Sequence, residues 1–579
     1  MSVPSYQVKA GRLGASVAAL LPGRGDLAEM RRAPRRDLLA GLTVAIVALP
    51  LALGFGVSSG LGAEAGLATA VVAGALAAVF GGSNLQVSGP TGAMTVVLVP
   101  IVGRYGPSGV LTVGLMAGVM LVGLALLRAG KYMRYVPAPV VEGFTLGIAC
   151  VIGLQQIPSA LGVPKPEGDR VLVVTWRAIE EFARTPNWTA AGFAVAVAAV
   201  MLVGARWRPT VPFSIVAVIA ATIVAQVGGF DAAKPIGDLP AGLPAPSLSF
   251  LDLGALGSLL GPAVAVAALA ALESLLSASV ADGMTVGQRH DPDRELFGQG
   301  LANIAAPLFG GVPATGAIAR TAVNVRTGAG SRLAALTHAA VLAVIVFAAA
   351  PLVSKIPLAA LAGVLLATAI RMVEVGALRA MVRATRSDAL VLVLTAVATV
   401  ALDLVYAVVI GLVVAGALAL RAVAKQARFE QVPLDRADHT AEEHALLAEH
   451  IVAYRIDGPL FFAAAHRFLL ELTEVADVRV VILRMSRVST MDATGVLVLK
   501  DAVEKLERRG IRVLASGVRP GQRRVLESVG ALELLRHDGR EYATTPEAIR
   551  GAREYLEHAG VLPAVPAPQP GAATTAVEA

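Results

Sequence analysis

Apolar residues along this chain come in continuous runs rather than in alternation. Seven can be placed near 38–60, 64–80, 91–103, 107–127, 137–157, 188–205 and 211–228. A second seven follow near 256–280, 295–309, 315–327, 331–351, 357–372, 387–402 and 404–424. Such runs predict helices that are apolar all round, and crossing a bilayer takes about 20 such residues. A transmembrane barrel would show period-two alternation and is excluded. The runs starting at Thr91 and Thr315 fall short of a full span, and each follows a Gly/Pro-rich break. Beyond residue 424 the pattern changes. Short β-rich runs at 451–456, 478–485 and 511–515 alternate with amphipathic stretches such as 493–508, predicting a small α/β unit. Four regions result: a polar amphipathic segment 1–36, a membrane domain 37–424, a soluble domain 425–560, and a Pro/Ala/Gly-rich tail 561–579 expected to be disordered.

Composition excludes a water-soluble protein. Hydrophobic residues make up 56% of the 579 and charged residues 16%, with a mean hydropathy of +0.69; ordinary globular chains carry roughly 25% charged residues. A net charge of +7 would suit a nucleic-acid partner in a soluble chain. Here the basic residues sit between apolar runs, so no nucleic-acid partner is expected. Arg24, Arg31, Arg32, Arg35 and Arg36 precede the first run, and Arg206/Arg208, Arg289/Arg294, Arg326/Arg332 and Arg371/Arg379/Arg383/Arg386 recur on the same side. The positive-inside bias then makes this a multi-pass protein of the cell (inner) membrane with both termini cytoplasmic. The loop carrying Lys165, Arg170, Arg177 and Arg184 shares its charge with Glu167, Asp169, Glu180 and Glu181, as an outer loop would. No cleavable signal is expected, because the first run follows a charged stretch and leads into further spans. Cys150 is the single cysteine, so a disulfide framework and a cysteine metal site are both excluded.

The two short runs resemble each other. Phe80-Gly81-Gly82 is followed after eight residues by Thr91-Gly92-Ala93, and Phe309-Gly310-Gly311 after three by Thr315-Gly316-Ala317; Pro90 and Pro313 stand just upstream. Paired, interrupted segments at corresponding places in two halves mark a site built from discontinuous helices. A helix opening in mid-membrane points unpaired N–H groups and the positive end of its dipole at whatever lies ahead, which makes an anion site. The alternative is two kinked helices with packing glycines. Arg320 lies inside the second short run and either faces that site or snorkels to the surface beside Arg326 and Arg332. Glu273 is the one charge in its run, with Ser277 a turn away on the same face, so the pair is a candidate Na⁺ or proton site, with a structural ion pair as the alternative. Asp282 and Asp291 read as loop residues; Asp37, Glu142, Asp388 and Asp403 read as caps or interface residues. In the soluble unit, the loop Ser489-Thr490-Met491-Asp492-Ala493-Thr494-Gly495 presents a hydroxyl at a helix start, but no nucleophile–base pair or phosphate loop accompanies it. His466 reads as a surface or packing residue. No enzymatic constellation is visible, and no cofactor is expected beyond a coupling cation.

The ordered set Val87-Ser88-Gly89-Pro90-Thr91-Gly92, the Phe-Gly-Gly ends, the Glu273 helix and Met491-Asp492-Ala493-Thr494-Gly495 resembles the sulfate permease (SulP) anion transporters with a C-terminal STAS domain. The resemblance runs from about Asp37 to Tyr555. It implies fourteen spans as seven-plus-seven inverted repeats with two half-helices, a core and a gate domain, a cytoplasmic α/β STAS domain, and commonly a homodimer. The stretch Ala48-Leu49-Pro50-Leu51-Ala52-Leu53 looks most like the branch containing sodium-dependent bicarbonate transporters, where the residues matching Glu273 and Ser277 contribute to a sodium site, although the acid there is usually aspartate. By the same resemblance Arg320 adds positive charge near the anion and Phe55 lines its site; the half-helix argument places Thr91, Gly92, Ala93, Thr315, Gly316 and Ala317 there as well. Asp492 and Thr494 fall on the STAS regulatory loop. Related antagonists carry two adjacent hydroxyl residues where this chain has Ala493-Thr494, so phosphorylation there is not expected. The implied activity is bicarbonate symport with Na⁺ by alternating access. H⁺-coupled dicarboxylate or sulfate symport and anion exchange remain open, as does a non-transporting or channel-like protein whose STAS domain binds a cytoplasmic partner. A nucleobase permease would fit the membrane part but not the C-terminal domain.

Overall fold

The structure is a computed structural model that describes residues 20–168, 170–208, 211–230, 234–237, 239–240, 242–402, 404–426, 428–432, 449–461, 478–536 and 539–562. Asp169, Asp403, His466, the first nineteen residues and all but two residues of the tail lie outside them.

The first set of apolar runs forms α2 (Pro34–Ser59), α3 (Ala63–Phe80), β1 (Ser88–Gly89), α4 (Gly92–Leu126), α5 (Ala138–Leu161), α7 (Trp188–Trp207) and α8 (Phe213–Val227). These follow a short α1 (Arg24–Met30) and are interrupted by α6 (Val171–Arg184). The second set forms α9 (Leu256–Met284), α10 (Pro292–Leu308), β2 (Thr315–Gly316), α11 (Ile318–Arg326), α12 (Leu333–Val353), α13 (Leu358–Met372), α15 (Arg386–Ala401) and α16 (Leu404–Gln426), with α14 (Val375–Ala384) between α13 and α15. Among the described residues, nine helices are long and apolar enough to cross a membrane. Two segments read from sequence as charged loops are amphipathic helices instead, α6 and α14. Both are too polar to register as apolar runs, but each keeps its apolar side chains on one face.

The second set repeats the order of the first: two helices, a two-residue strand, a helix. β1 and β2 pair antiparallel, Ser88 opposite Gly316 and Gly89 opposite Thr315, as a two-fold relation between the halves requires. α4 is broken at Gly106, whose φ of 67° and ψ of −175° only glycine adopts readily, ahead of Pro107. Residues 92–105 are therefore a half-helix, and α11 is its nine-residue counterpart. Around this break α10 packs on α3 and α4, α9 on α4, and α12 on α2 and α3. α5 packs with α13 and α15, and α7 with α13. α5, α7, α13 and α15 make one packed set and α3, α4, α9, α10 and α12 another, with α2 in contact with both.

Contacts divide the chain at Ala415/Gly416, inside α16, rather than at 424/425. The second unit contains β3 (Arg428–Val432), β4 (Ile451–Leu460), β5 (Val480–Arg484), β6 (Val488–Met491), α17 (Ala493–Arg508), β7 (Arg512–Ser516), α18 (Pro520–Ser528), α19 (Ala531–Arg536), β8 (Glu541–Tyr542) and α20 (Thr545–His558). Its sheet runs β3-β4-β5-β7-β8, with β6 beside β4; β3 is antiparallel and the rest parallel. The central strands β4, β5 and β7 carry buried side chains on both faces, so they read as short continuous apolar runs. Val452, Val481, Leu483 and Val513 pack on α17, α18 and α19, while Ile451, Ala453, Val480, Ile482 and Leu514 pack on α20.

Candidate functional site

Both half-helices begin at the β1–β2 pair. Thr91 is the N-cap of α4: its backbone is extended and its hydroxyl accepts from Met94 N at 3.3 Å, a bond whose loss costs about 1 kcal/mol. Gly92 and Ala93 follow as the first helical residues, both buried. On the other side the matching triplet is displaced. Thr315 and Gly316 form the strand, Ala317 is the N-cap, and α11 opens at Ile318. The two Thr-Gly-Ala triplets therefore do not occupy equivalent positions; Thr315-Gly316 corresponds to Ser88-Gly89. The strand pairing decides this, because sequence similarity alone cannot register a repeat to within three residues. Ala317 N donates to Val87 O at 2.9 Å, and Thr315 Oγ1 lies 3.3 Å from Thr91 Oγ1, so the two positive helix ends face one region.

α9 runs beside this junction and ties its halves together. Glu273 Oε2 accepts from Thr91 Oγ1 at 2.8 Å and from Thr315 Oγ1 at 2.7 Å, one donor from each repeat. The next residue, Ser274, accepts from Gly316 N at 3.0 Å. One turn on, Ser277 is 2.9 Å from Thr321 Oγ1, which itself accepts from Val87 N. Ser277 thus shares the face of Glu273, as the spacing predicts, but its bond goes to α11 rather than to the carboxylate. Glu273 itself is half-buried, leaving a carboxylate with two hydroxyl oxygens partly open at the junction.

Arg320 does not snorkel. It is 2% exposed, in the first turn of α11, and its Nη2 donates to the Pro90 carbonyl while Nη1 has no hydrogen-bond partner. An uncompensated buried cation costs several kcal/mol, so this position calls for a negative partner. Phe55, on α2, is buried, and its ring edge lies 3.1 Å from where a Cβ on Gly92 would stand; Ile152 of α5 closes the other side of that glycine. The sequence-derived residues Phe55, Thr91, Gly92, Glu273, Thr315, Gly316, Ala317 and Arg320 are therefore brought together. What they can do chemically is hold an anion against helix dipoles and a guanidinium, with a monovalent cation or proton at the carboxylate beside it.

A second polar seam escaped the sequence reading. Glu295, Gln299 and Asn303 repeat every fourth residue along one face of α10. Glu295 is buried and accepts from Gly82 N, Ser83 N, Gln86 Nε2 and Gln299 Nε2 at 2.8–3.1 Å. Gln299 donates to Ser88, and Asn303 bonds both N and O of Ala314, so α10 clamps β1 and the approach to β2. The i, i+4, i+8 spacing inside an apolar run was the available signal. Asp282 and Asp291, expected in loops, belong to helix ends: Asp282 lies in the last turn of α9 and bonds His290, and Asp291 caps α10 through Asp293 N and Arg294 N. Asp37 is buried in the first turn of α2 and accepts from Gly330 N, Ser331 N and Ser331 Oγ, linking the two repeats. In the second unit Asp492 caps α17 through Gly495 N at 2.7 Å, and Thr494 is exposed in its first turn.

Comparison with known proteins settles the class. Residues 35–395 match the sulfate permease family and 445–548 the STAS domain. The chain belongs to the sulfate permease family. Like its relatives in that family, which are named as transporters, it is a multi-pass membrane anion transporter with a C-terminal STAS domain and not an enzyme. It is 37% identical over 86% of its length, and 94% of the relative's, to the Bacillus subtilis (strain 168) protein named "Putative sulfate transporter YvdB". It is 31% identical over 89% of its length, and 94% of the relative's, to the bicarbonate transporter BicA of Synechocystis sp.. The murine Slc26a9 anion transporter, solved in the inward-facing state, matches at a TM-score of 0.81 over 96% of both chains; at 16% identity it attests the fold of this sulfate permease family chain alone.

Proposed function

We propose that the chain is a secondary active transporter that carries bicarbonate together with Na⁺. The carrying observation is that one carboxylate, Glu273, is bonded to the N-cap of α4 and to strand β2 ahead of α11, beside the buried Arg320. In this reading the anion lies against the N-termini of α4 and α11, with Arg320 supplying charge and Phe55 a wall. Na⁺ binds at Glu273, the Thr91 and Thr315 hydroxyls turning their oxygens to it, and Ser277 holds α11 in register. A bound cation and a bound anion then neutralise each other's field, which favours their moving together. Importing a monoanion against an inside-negative potential costs about 2.3 kcal/mol per 100 mV, and one co-transported cation cancels that cost. The group containing the half-helices slides against the α5/α7/α13 group, exposing the pair to alternate sides. We place the protein in the cell (inner) membrane with both termini and the STAS domain cytoplasmic, fourteen crossings, and a homodimer as the working unit. Asp492 and Thr494 form a surface on which a cytoplasmic protein can act through the STAS domain.

A second reading is H⁺-coupled uptake of sulfate or a dicarboxylate. The 37% identity to a protein named as a sulfate transporter supports the anion, and a half-buried glutamate supports the proton. Reconstituted protein assayed with labelled bicarbonate, under separate Na⁺ and H⁺ gradients and with sulfate, fumarate and chloride as competitors, distinguishes them. Bicarbonate uptake driven by Na⁺ alone supports the first reading; uptake of a competitor driven by protons replaces it with the second; flux indifferent to both gradients sinks coupling.

A further inference from the structure

His338 lies in α12, has no role in the site described above, and is fully buried with neither ring nitrogen hydrogen-bonded. A buried imidazole without a partner is costly and calls for a physical reason. Arg320 Nη1 is in the same condition. Both lie alongside the same helix, α3. A Cβ on Gly89 would stand 2.6 Å from Arg320 Nη1 and 3.5 Å from Ala70 Cα; one on Gly74, a turn further along α3, would stand 3.3 Å from the Ser88 carbonyl and 3.9 Å from His338 Cε1. The guanidinium nitrogen and the imidazole therefore both lie beside β1 on one face of α3, kept open by two glycines.

We infer that His338 is a positioning residue for the anion site: its imidazole accepts from a water that Arg320 Nη1 donates to, and so fixes the direction of the guanidinium. The imidazole acts uncharged, since protonating it would set two cations face to face in apolar surroundings. With Nη2 held by the Pro90 carbonyl and Nη1 tied to His338 through that water, the guanidinium keeps a fixed fork, which suits a planar oxyanion. This rests on the reading that Arg320 contacts the anion.

The test uses full-length protein in liposomes, with labelled bicarbonate and labelled sulfate assayed in parallel. His338→Leu is expected to raise the anion KM about tenfold, the loss of one hydrogen bond to a charged group, with Vmax little changed. His338→Gln, which keeps a neutral acceptor of similar reach, stays within about twofold of wild type. The double variant Arg320→Ala/His338→Leu has the KM of Arg320→Ala alone. Should His338→Leu fail to fold, His338→Asn, whose acceptor is too short, replaces it and is expected to raise KM. A KM unchanged in both the Leu and Asn variants, or effects of Arg320 and His338 that multiply independently, overturns the assignment. If Arg320→Ala itself leaves KM unchanged, the reading of Arg320 falls, and the role of His338 with it.

Discussion

Replacing Glu273 by Gln removes a charge and little else. The Gln amide oxygen can still accept from Thr91 and Thr315, now at 2.8 and 2.7 Å from the carboxylate. Each bond drops from the charge-assisted range to the neutral one, a loss of about 1 kcal/mol apiece, and relief from holding a charge in apolar surroundings offsets part of that. The variant is therefore expected to fold. Its transport should change far more. At −100 mV the electrical cost of about 2.3 kcal/mol for a monoanion corresponds to roughly 50-fold in concentration. A 1:1 symporter given a tenfold inward Na⁺ gradient accumulates the anion about tenfold whatever the potential, whereas an uncoupled pathway holds it near 1/50 of the outside level. Equilibrium accumulation in proteoliposomes clamped with a potassium gradient reads the difference directly. Wild type above unity and Glu273→Gln below it is the expected result. A variant that still accumulates bicarbonate in proportion to the Na⁺ gradient would refute the role given to Glu273.

Three further predictions concern the framework. Gly316→Ala puts a methyl onto the Gln86 amide and 3.1 Å from Ser274 Cα, so it should cost about 1–3 kcal/mol in thermal unfolding and abolish uptake; normal stability would mean the strand pair can open. Glu295→Ala strands four buried donors and should cost about 3–5 kcal/mol, with Glu295→Gln intermediate; equal unfolding temperatures for all three proteins would contradict the clamp. Asp26 of α1 is pushed up by burial, but the Arg294 hydrogen bond, the Gly23 N–H and the charges of Arg332 and Arg294 outweigh this and hold its carboxyl below the usual 3.8. A lowered folded value means its stabilisation is present above that pH and fades as pH falls toward the lowered one. The unfolding-temperature gap between wild type and Asp26→Asn should therefore shrink from pH 7 to pH 3; a gap independent of pH would show that the Asp26 charge contributes nothing.

Much of this molecule could be read from its residues because the bilayer enforces simple rules. Continuous apolar runs matched the helices to within a few residues, and the breaks before Thr91 and Thr315 were visible as Gly and Pro. Arg320 and Glu273 stood out because a charge in an apolar run is costly. What sequence could not give was register and partnership. The triplet at Thr315 looked like that at Thr91 although the strand pairing aligns it with Ser88, and Ser277 bonds Thr321 through a tertiary contact no spacing reveals. α6 and α14 were missed because their polar faces dilute the hydrophobic signal. His338 was passed over because a neutral-looking residue in a helix gives no sign of being unpartnered. Glu295 was also missed, although its spacing with Gln299 and Asn303 every fourth residue was a signal that periodicity could have used.

Initial-rate uptake of labelled bicarbonate by purified wild-type protein in liposomes, at matched pH and clamped voltage, with and without an inward Na⁺ gradient, tests the central claim most directly. The account predicts uptake that rises with the Na⁺ gradient and carries no net current. Uptake that ignores Na⁺, or that moves one net negative charge per bicarbonate, would contradict it.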